Sequence, residues 1–316
     1  MAIEIDTATD YKDLLDRLEA FLTGVALGAE AWTTMRYTPV VGAGTSELIL
    51  RAPGLAGTDQ IFTGIQTFEN ATADYFNWRL GGFTGFNNAL AFAAQPGVMQ
   101  NVFMSLWNSP IPYWFVANGR RVVMVAKVST NFMMMHLGFI NQYASPSQYP
   151  YPLLIGGNMA WSPELNLADA SWRWSTPNAV ANRNFPMATA SSGPPIGGII
   201  DNTCSCRLRS PNGVWIKLIA GFNSAYQDLD SSNIWPYMSG MVNLQQNLGA
   251  GAQNPLLPII LHDATPEVYG ELDGIYATTG QAVASEDLIT EAGDDHLIVQ
   301  DVSRTARNNY CAVRLV

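Results

Sequence analysis

Residues able to do chemistry are few in this chain and fall in small groups. Its three histidines are His136, His262 and His296. His262-Asp263 and Asp294-Asp295-His296 could join as a metal or acid–base cluster, because imidazole and carboxylate are common ligands and proton carriers. Each group sits at a strand end or turn, where polar residues occur anyway. Cys204 and Cys206 are spaced to put both thiols on one side of a strand. Zinc would need two further ligands and no second cysteine pair exists, so they read as packing cysteines. Glu271 and Asp273, in the segment GELDG, also share one side of an extended stretch. Paired carboxylates serve glycoside hydrolysis or calcium binding; a charged loop flanked by glycines is the plainer reading. Trp172-Arg173-Trp174 and Trp235-Pro236-Tyr237 could stack on a carbohydrate or anchor a protein interface, where Trp, Tyr and Arg dominate. No G-x-S-x-G elbow, phosphate-binding glycine loop or H-E-x-x-H zinc helix is present. The chain reads as non-enzymatic, with no cofactor and no metal.

The totals point the same way. The 316 residues suit one large β domain or two of ordinary size. Charged residues make up 13%, about half the usual quarter, while hydrophobic residues make up 48%. Lysine occurs only at Lys12, Lys127 and Lys217, and arginine supplies the other positive charges. Lysine favours open surface and arginine and aromatics favour interfaces, so much of the surface is expected to be covered by partners. The plainer alternative is a large monomer with a polar surface of Asn, Gln, Ser and Thr. A net charge of −10 argues against a broad nucleic-acid-binding face but does not exclude a local arginine patch. The segment MAIEIDTATDYK has no apolar signal core, and no run approaches ~18 apolar residues, so no secretory peptide and no membrane span are expected. Three cysteines are too few for a disulfide scaffold, which suggests folding in a reducing cytoplasm.

These groups must be positioned mainly by strands. Ile111 to Val128 reads as two apolar arms, Trp114–Val116 and Val122–Val125, turning at Asn118-Gly119, the strongest short hairpin signal. Neither arm alternates between apolar and polar, so both faces should be covered, by a second layer or by another subunit. Further strands are expected at Glu47–Arg51, Gln60–Phe68, Asp74–Leu80, Cys204–Leu208, Val214–Ile219 and Pro255–Leu261, the last at a sheet edge because of its prolines. Leu288–Thr290 and His296–Val302 should pair over 292–295, and Asn309–Val316 should close the chain. Asn131 to Tyr143 is either a strand or a short buried helix. Asn88 to Ala93 could form a helical turn. One helix is expected over Thr9–Leu22, with Tyr11, Leu14, Leu15, Leu18, Phe21 and Leu22 on one stripe and Thr7 or Thr9 as its cap. The expected fold is mainly β, with antiparallel sandwich- or barrel-like sheets, an N-terminal amphipathic helix and long irregular loops. Prolines between Tyr143 and Gly157 mark a boundary or an extended arm. They divide residues 1–150, the helix plus a β domain, from 151–316, a second β region with Pro/Trp-rich loops, unless the two merge.

Residues 255–316 hold PLLPIILHDATPEVYGELDGIYATTG and then DHLIVQDVSRTARNNYCAVRLV. This pattern resembles the C-terminal portion of structural proteins encoded with the tail genes of tailed bacteriophages. LWNSPIPYWFVANGRRVVMVAKVST, YPYPLLIGG and LRAPGLAGTDQIFTGIQT are similar to the same group. The resemblance implies a non-enzymatic virion subunit of the tail tip or baseplate, assembled in the host cytoplasm and bound to other tail subunits and to copies of itself. The interface candidates are Trp172, Trp174, Trp235 and Tyr237, with Arg304 and Arg307 as partners for acidic neighbours. The alternatives are a receptor- or glycan-binding tail protein using the 160–199 stretch on a host-surface glycan, and a cell-wall-polymer hydrolase working through Glu271 and Asp273.

Overall fold

The computed structural model describes residues 1–160, 183–187, 205–216, 253, 255–262, 268–305 and 309–315. The chain is mainly β. In order it forms β1 (Ala2–Ala8), α1 (Tyr11–Thr23), β2 (Thr33–Thr38), β3 (Glu47–Ala52), β4 (Ile61–Asn70), β5 (Tyr75–Phe83), β6 (Met99–Met104), β7 (Ile111–Ala117), β8 (Arg121–Val128) and β9 (Asn131–Phe139). Then follow β10 (Asn141–Gln142), β11 (Leu153–Gly156), β12 (Met159–Ala160), β13 (Cys206–Arg209), β14 (Trp215–Ile216), β15 (Leu257–His262), β16 (Val268–Thr278), β17 (Leu288–Glu291), β18 (Asp294–Gln300) and β19 (Tyr310–Arg314).

The strands make three antiparallel sheets. The central one runs β1-β7-β8-β9-β11-β13-β14. A second runs β12-β6-β5-β4-β3-β2, and a third runs β10-β16-β19-β18-β17 with β15 on the far side of β16. Alternation along β7, β8 and β9 explains why their sequences show no polar face. Tyr113, Phe115, Val122, Met124, Met133 and Met135 point one way, into a core shared with α1 and the second sheet. Trp114, Val116, Val123, Val125, Phe132 and Met134 point the other way, into a core shared with the third sheet. The two-sided apolarity of this hairpin is therefore satisfied by layers of its own chain.

Helix α1 buries the expected stripe, with all six apolar residues in the core. Its cap differs from expectation. Thr7 is committed to pairing within β1, opposite Pro112. Asp10 caps instead, its carboxylate accepting from the N–H groups of Lys12 and Asp13 at 2.7 and 3.0 Å. The Asp13 carboxylate in turn accepts from the N–H of Thr9, the residue before the cap, at 2.7 Å, so the bond returned by the third helical residue falls one position earlier than in a capping box.

Other boundaries also moved. Neither Asn118 nor Gly119 adopts positive φ. Glycine is needed at 119 for close approach, since a Cβ there would lie 2.4 Å from the Gly54 carbonyl oxygen. Asn131–Phe139 is a strand, not a helix. The helical turn near Asn88 is a short 3-10 segment at Phe92–Ala94. The β17–β18 turn is tighter than expected, with Glu291 already paired to Asp294. β1, β2 and β6 had no periodicity to announce them. The central sheet takes strands from both sides of residue 150, because β11 pairs with β9 after the Pro-rich stretch.

Candidate functional site

β16 carries the GELDG segment, and its ladder is interrupted there. Pairing with β15 passes from Pro258↔Tyr276 to Ile260↔Glu271, and pairing with β19 begins only at Ile275. Residues 272–274 lie between these runs and swing Asp273 out of register. Gly274 makes this possible. Its φ is +71°, and a Cβ there would sit 2.3 Å from Arg121 Nη2.

Asp273 reaches the start of β8. Its Oδ2 accepts from Arg121 Nε at 3.0 Å and from Asn118 Nδ2 at 3.1 Å. Its Oδ1 accepts from Arg314 Nη2 at 3.4 Å, and Arg314 Nη1 lies 3.6 Å from Asp294. Arg121 is fully buried and also donates through Nη1 to the Val116 carbonyl at 3.3 Å. Asn118 closes the hairpin, its Oδ1 accepting from the N–H groups of Arg120 and Arg121. Burial by itself would raise the Asp273 carboxyl; the charge of Arg121 and the hydrogen bonds from Asn118 and Arg121, with Arg314 adding, hold it below the usual carboxylate range. Burial pulls the Arg121 guanidinium down and Asp273 pulls it back up. A guanidinium begins so far above neutrality that the pair stays ionised.

His136 faces the same core from β9. Its Nδ1 is 3.2 Å from the Leu154 carbonyl, so the neutral ring donates there, while Nε2 has no hydrogen-bond partner. Complete burial, reinforced by the charge of Arg121, drives its pKa down to about 4.

A second buried carboxylate, Asp301, ties down the 183–187 segment. Asp301 Oδ2 takes Arg183 Nε at 2.6 Å, and its Oδ1 takes the Asn184 N–H at 2.8 Å. The Asn184 side chain acts as a short piece of strand beside β9, accepting from Met134 N–H at 2.8 Å and donating to the Phe132 carbonyl at 2.9 Å. Arg304, an expected interface residue, has its Nη1 3.7 Å from Asp301 of its own chain, and burial lowers its pKa against the pull of that carboxylate.

The sequence candidates fare unevenly. Glu271 and Asp273 do not act together: Glu271 accepts from Tyr143 OH at 3.2 Å, whereas Asp273 is consumed by its cations. His296 has Nδ1 3.0 Å from the Asp294 carbonyl, and its ring packs edge-on against Tyr276. No group of three or more His, Cys, Asp or Glu among the described residues is arranged to hold a metal. No described helix is long and apolar enough to cross a membrane. Trp172, Trp174, Trp235, Tyr237, Arg307, Cys204 and Asp263 lie outside the described residues.

Arg121, Asn118, Arg314, Arg183, Asn184 and Asp301 were not singled out by sequence for these ties. One signal was present: Arg120-Arg121 interrupts an otherwise apolar hairpin, and a charge in such a strand needs a partner. No protein-family model matches this chain, and no curated protein matches it.

Proposed function

We propose that this chain is a non-enzymatic structural subunit of a tailed-bacteriophage virion, in the tail tip or baseplate, acting through protein–protein contacts. The resemblance in residues 255–316 names the class of protein. The observation that carries the reading is what the most chemically suggestive residues of that stretch do. Asp273 of GELDG accepts both from Arg121 of the VANGRRVV hairpin and from Arg314 of CAVRL. The resemblance-bearing segments thus hold one sheet to another. A carboxylate held low between two guanidinium groups is a poor proton donor, which weighs against hydrolysis of cell-wall polymer through Glu271 and Asp273.

On this reading the subunit is made in the host cytoplasm and ends in the tail, beside other tail subunits and copies of itself. Its low charge and its aromatic content fit a surface spent on neighbours. Mass spectrometry of purified particles, with crosslinking, tests this. Peptides of this chain crosslinked to tail components support it; a chain that purifies as a monomer and never enters particles removes it.

A further inference from the structure

Among the described residues, every strand at a sheet edge but one is a poor template for another strand. β10, β12 and β14 are each two residues long, and β17 is four. β2 is broken by a register shift between Thr34 and Arg36; β15 is broken by two shifts and contains Pro258. Shortness, bulges and proline are the usual devices that stop edges from pairing.

β1 has none of these three; its protection is charge, from Glu4 and Asp6, which turns away an acidic strand but not a basic one. It pairs with β7 over seven consecutive positions, Ala2↔Ala117 to Ala8↔Ile111, without a shift. No described strand lies beyond it. Its middle is open: Ile5 is 55% exposed, and Asp6 and Thr7 are exposed.

The two faces of this edge differ in chemistry. Glu4 and Asp6 lie opposite Phe115 and Tyr113, on the side of α1. Glu4 accepts from Tyr113 OH at 2.7 Å. Arg17 reaches Asp6 at 2.5 Å and Asp13 at 3.0 Å. One guanidinium among three carboxylates leaves that side acidic. On the other side Ile3 packs on the core beneath the central sheet, and Ile5 lies exposed opposite Trp114.

A second copy of the same edge fits badly. Antiparallel pairing of β1 with itself about a two-fold axis at residue 4, 5 or 6, the registers that use most of the strand, sets Glu4 against Glu4 or Asp6, or Asp6 against Asp6. Like charges directly opposite are destabilising.

We infer that β1 is a docking edge for an extended segment of a neighbouring, different polypeptide with alternating basic and apolar residues. The basic residues fall beside Glu4 and Asp6 and the apolar ones beside Ile3 and Ile5, while main-chain hydrogen bonds extend the central sheet by one strand. The nature of the neighbour rests on the assembly reading above; the edge itself does not.

The probes are labelled seven-residue peptides of alternating lysine and valine, a glutamate–valine counterpart, and two lysine–valine peptides N-methylated at either the valines or the lysines. Binding to the full chain is followed by fluorescence anisotropy and by amide hydrogen exchange. The expected result is saturable binding of the lysine–valine peptide, no binding of the glutamate–valine peptide, and roughly tenfold or greater weakening by at least one methylation pattern. Exchange should slow within residues 3–7. Equal binding of all three basic peptides means charge attraction only and overturns the proposal. So does the absence of saturable binding, or slowing confined to other segments. If these fail while the chain is found in particles, the assembly reading stands without the edge. If they succeed and the chain is absent from particles, the edge stands without that reading.

Discussion

Arg121 Nε lies 3.0 Å from Asp273 Oδ2, although 152 positions separate the two residues in the chain. The pair joins the first residue of the central hairpin's return arm, β8, to the bulge of β16. It is a polar tie at the edge of a core filled by Val123, Val125, Met134, Leu272 and Ile275. Taking two charges out of water is costly, and the arrangement holds only because Asn118, Arg314 and the Val116 carbonyl share the remaining hydrogen bonds.

Removing one partner should therefore cost more than removing both. Arg121→Met leaves a buried carboxylate with only Asn118 and the more distant Arg314, and is expected to destabilise by about 3 kcal/mol. Adding Asp273→Leu should recover a large part of that loss. Urea denaturation of the two single variants and the double variant measures it. Additive losses across the cycle would show that the pair is not coupled.

Gly274→Ala should lose stability without removing any charge. The left-handed backbone costs a non-glycine residue about 1–2 kcal/mol, and the new methyl meets Arg121 Nη2. A midpoint equal to that of the unchanged protein would mean that the bulge relaxes freely and that Asp273 is not held by it.

Acid should weaken the fold through His136. Its folded pKa is about 4 and the ordinary value is 6.5, so between these values the unfolded chain binds the extra proton. The contribution of the neutral ring is complete above pH 6.5 and is lost as pH falls towards 4. Asp273, held below the usual carboxylate range, adds a further loss only at lower pH. Unfolding free energies measured across this window should slope downward towards acid, and His136→Gln should flatten the slope. An unchanged slope in that variant would place the acid sensitivity elsewhere.

Val123→Asp should abolish folding. Val123 is fully buried between the central and third sheets, and an unpaired charge there costs about 4 kcal/mol or more. Circular dichroism and proteolysis report the outcome. A folded variant that fails to enter particles would instead make this face a subunit contact.

Lys12 offers a local counterpart. Its ammonium donates to the carbonyls of Val40, Gly42 and Gly44, and lies 3.4 Å from Glu69. Lys12→Met should speed amide exchange across residues 40–45 while the sheets stay protected. Uniform exchange changes would mean that the lysine supports the whole fold.

Local pattern was enough for much of this architecture. The stripe from Tyr11 to Leu22 can form only one kind of helix, and the β-branched, aromatic arms around Asn118-Gly119 can form only a buried hairpin, because side-chain periodicity and turn chemistry act over a few residues. The same local reasoning located β3, β4, β5 and β19 to within a few residues. It was silent on β1, β2 and β6, whose mixed sequences become strands only by pairing with neighbours. It also placed the helix cap on a threonine, when β1 had already claimed Thr7 and left Asp10 to do the work.

Composition and motif determined that this is a β-rich chain with little polar machinery, and they singled out GELDG. Tertiary structure alone decided what GELDG does. Glu271 and Asp273 look like a matched pair in sequence, but the bulge at Gly274 separates their environments, leaving Glu271 half-buried beside Tyr143 and sending Asp273 into the core. The cause is that Asp273 finds its charge partners on β8 and β19. Ionic pairing across sheets depends on which strands the fold brings together, and no spacing along the chain encodes that distance.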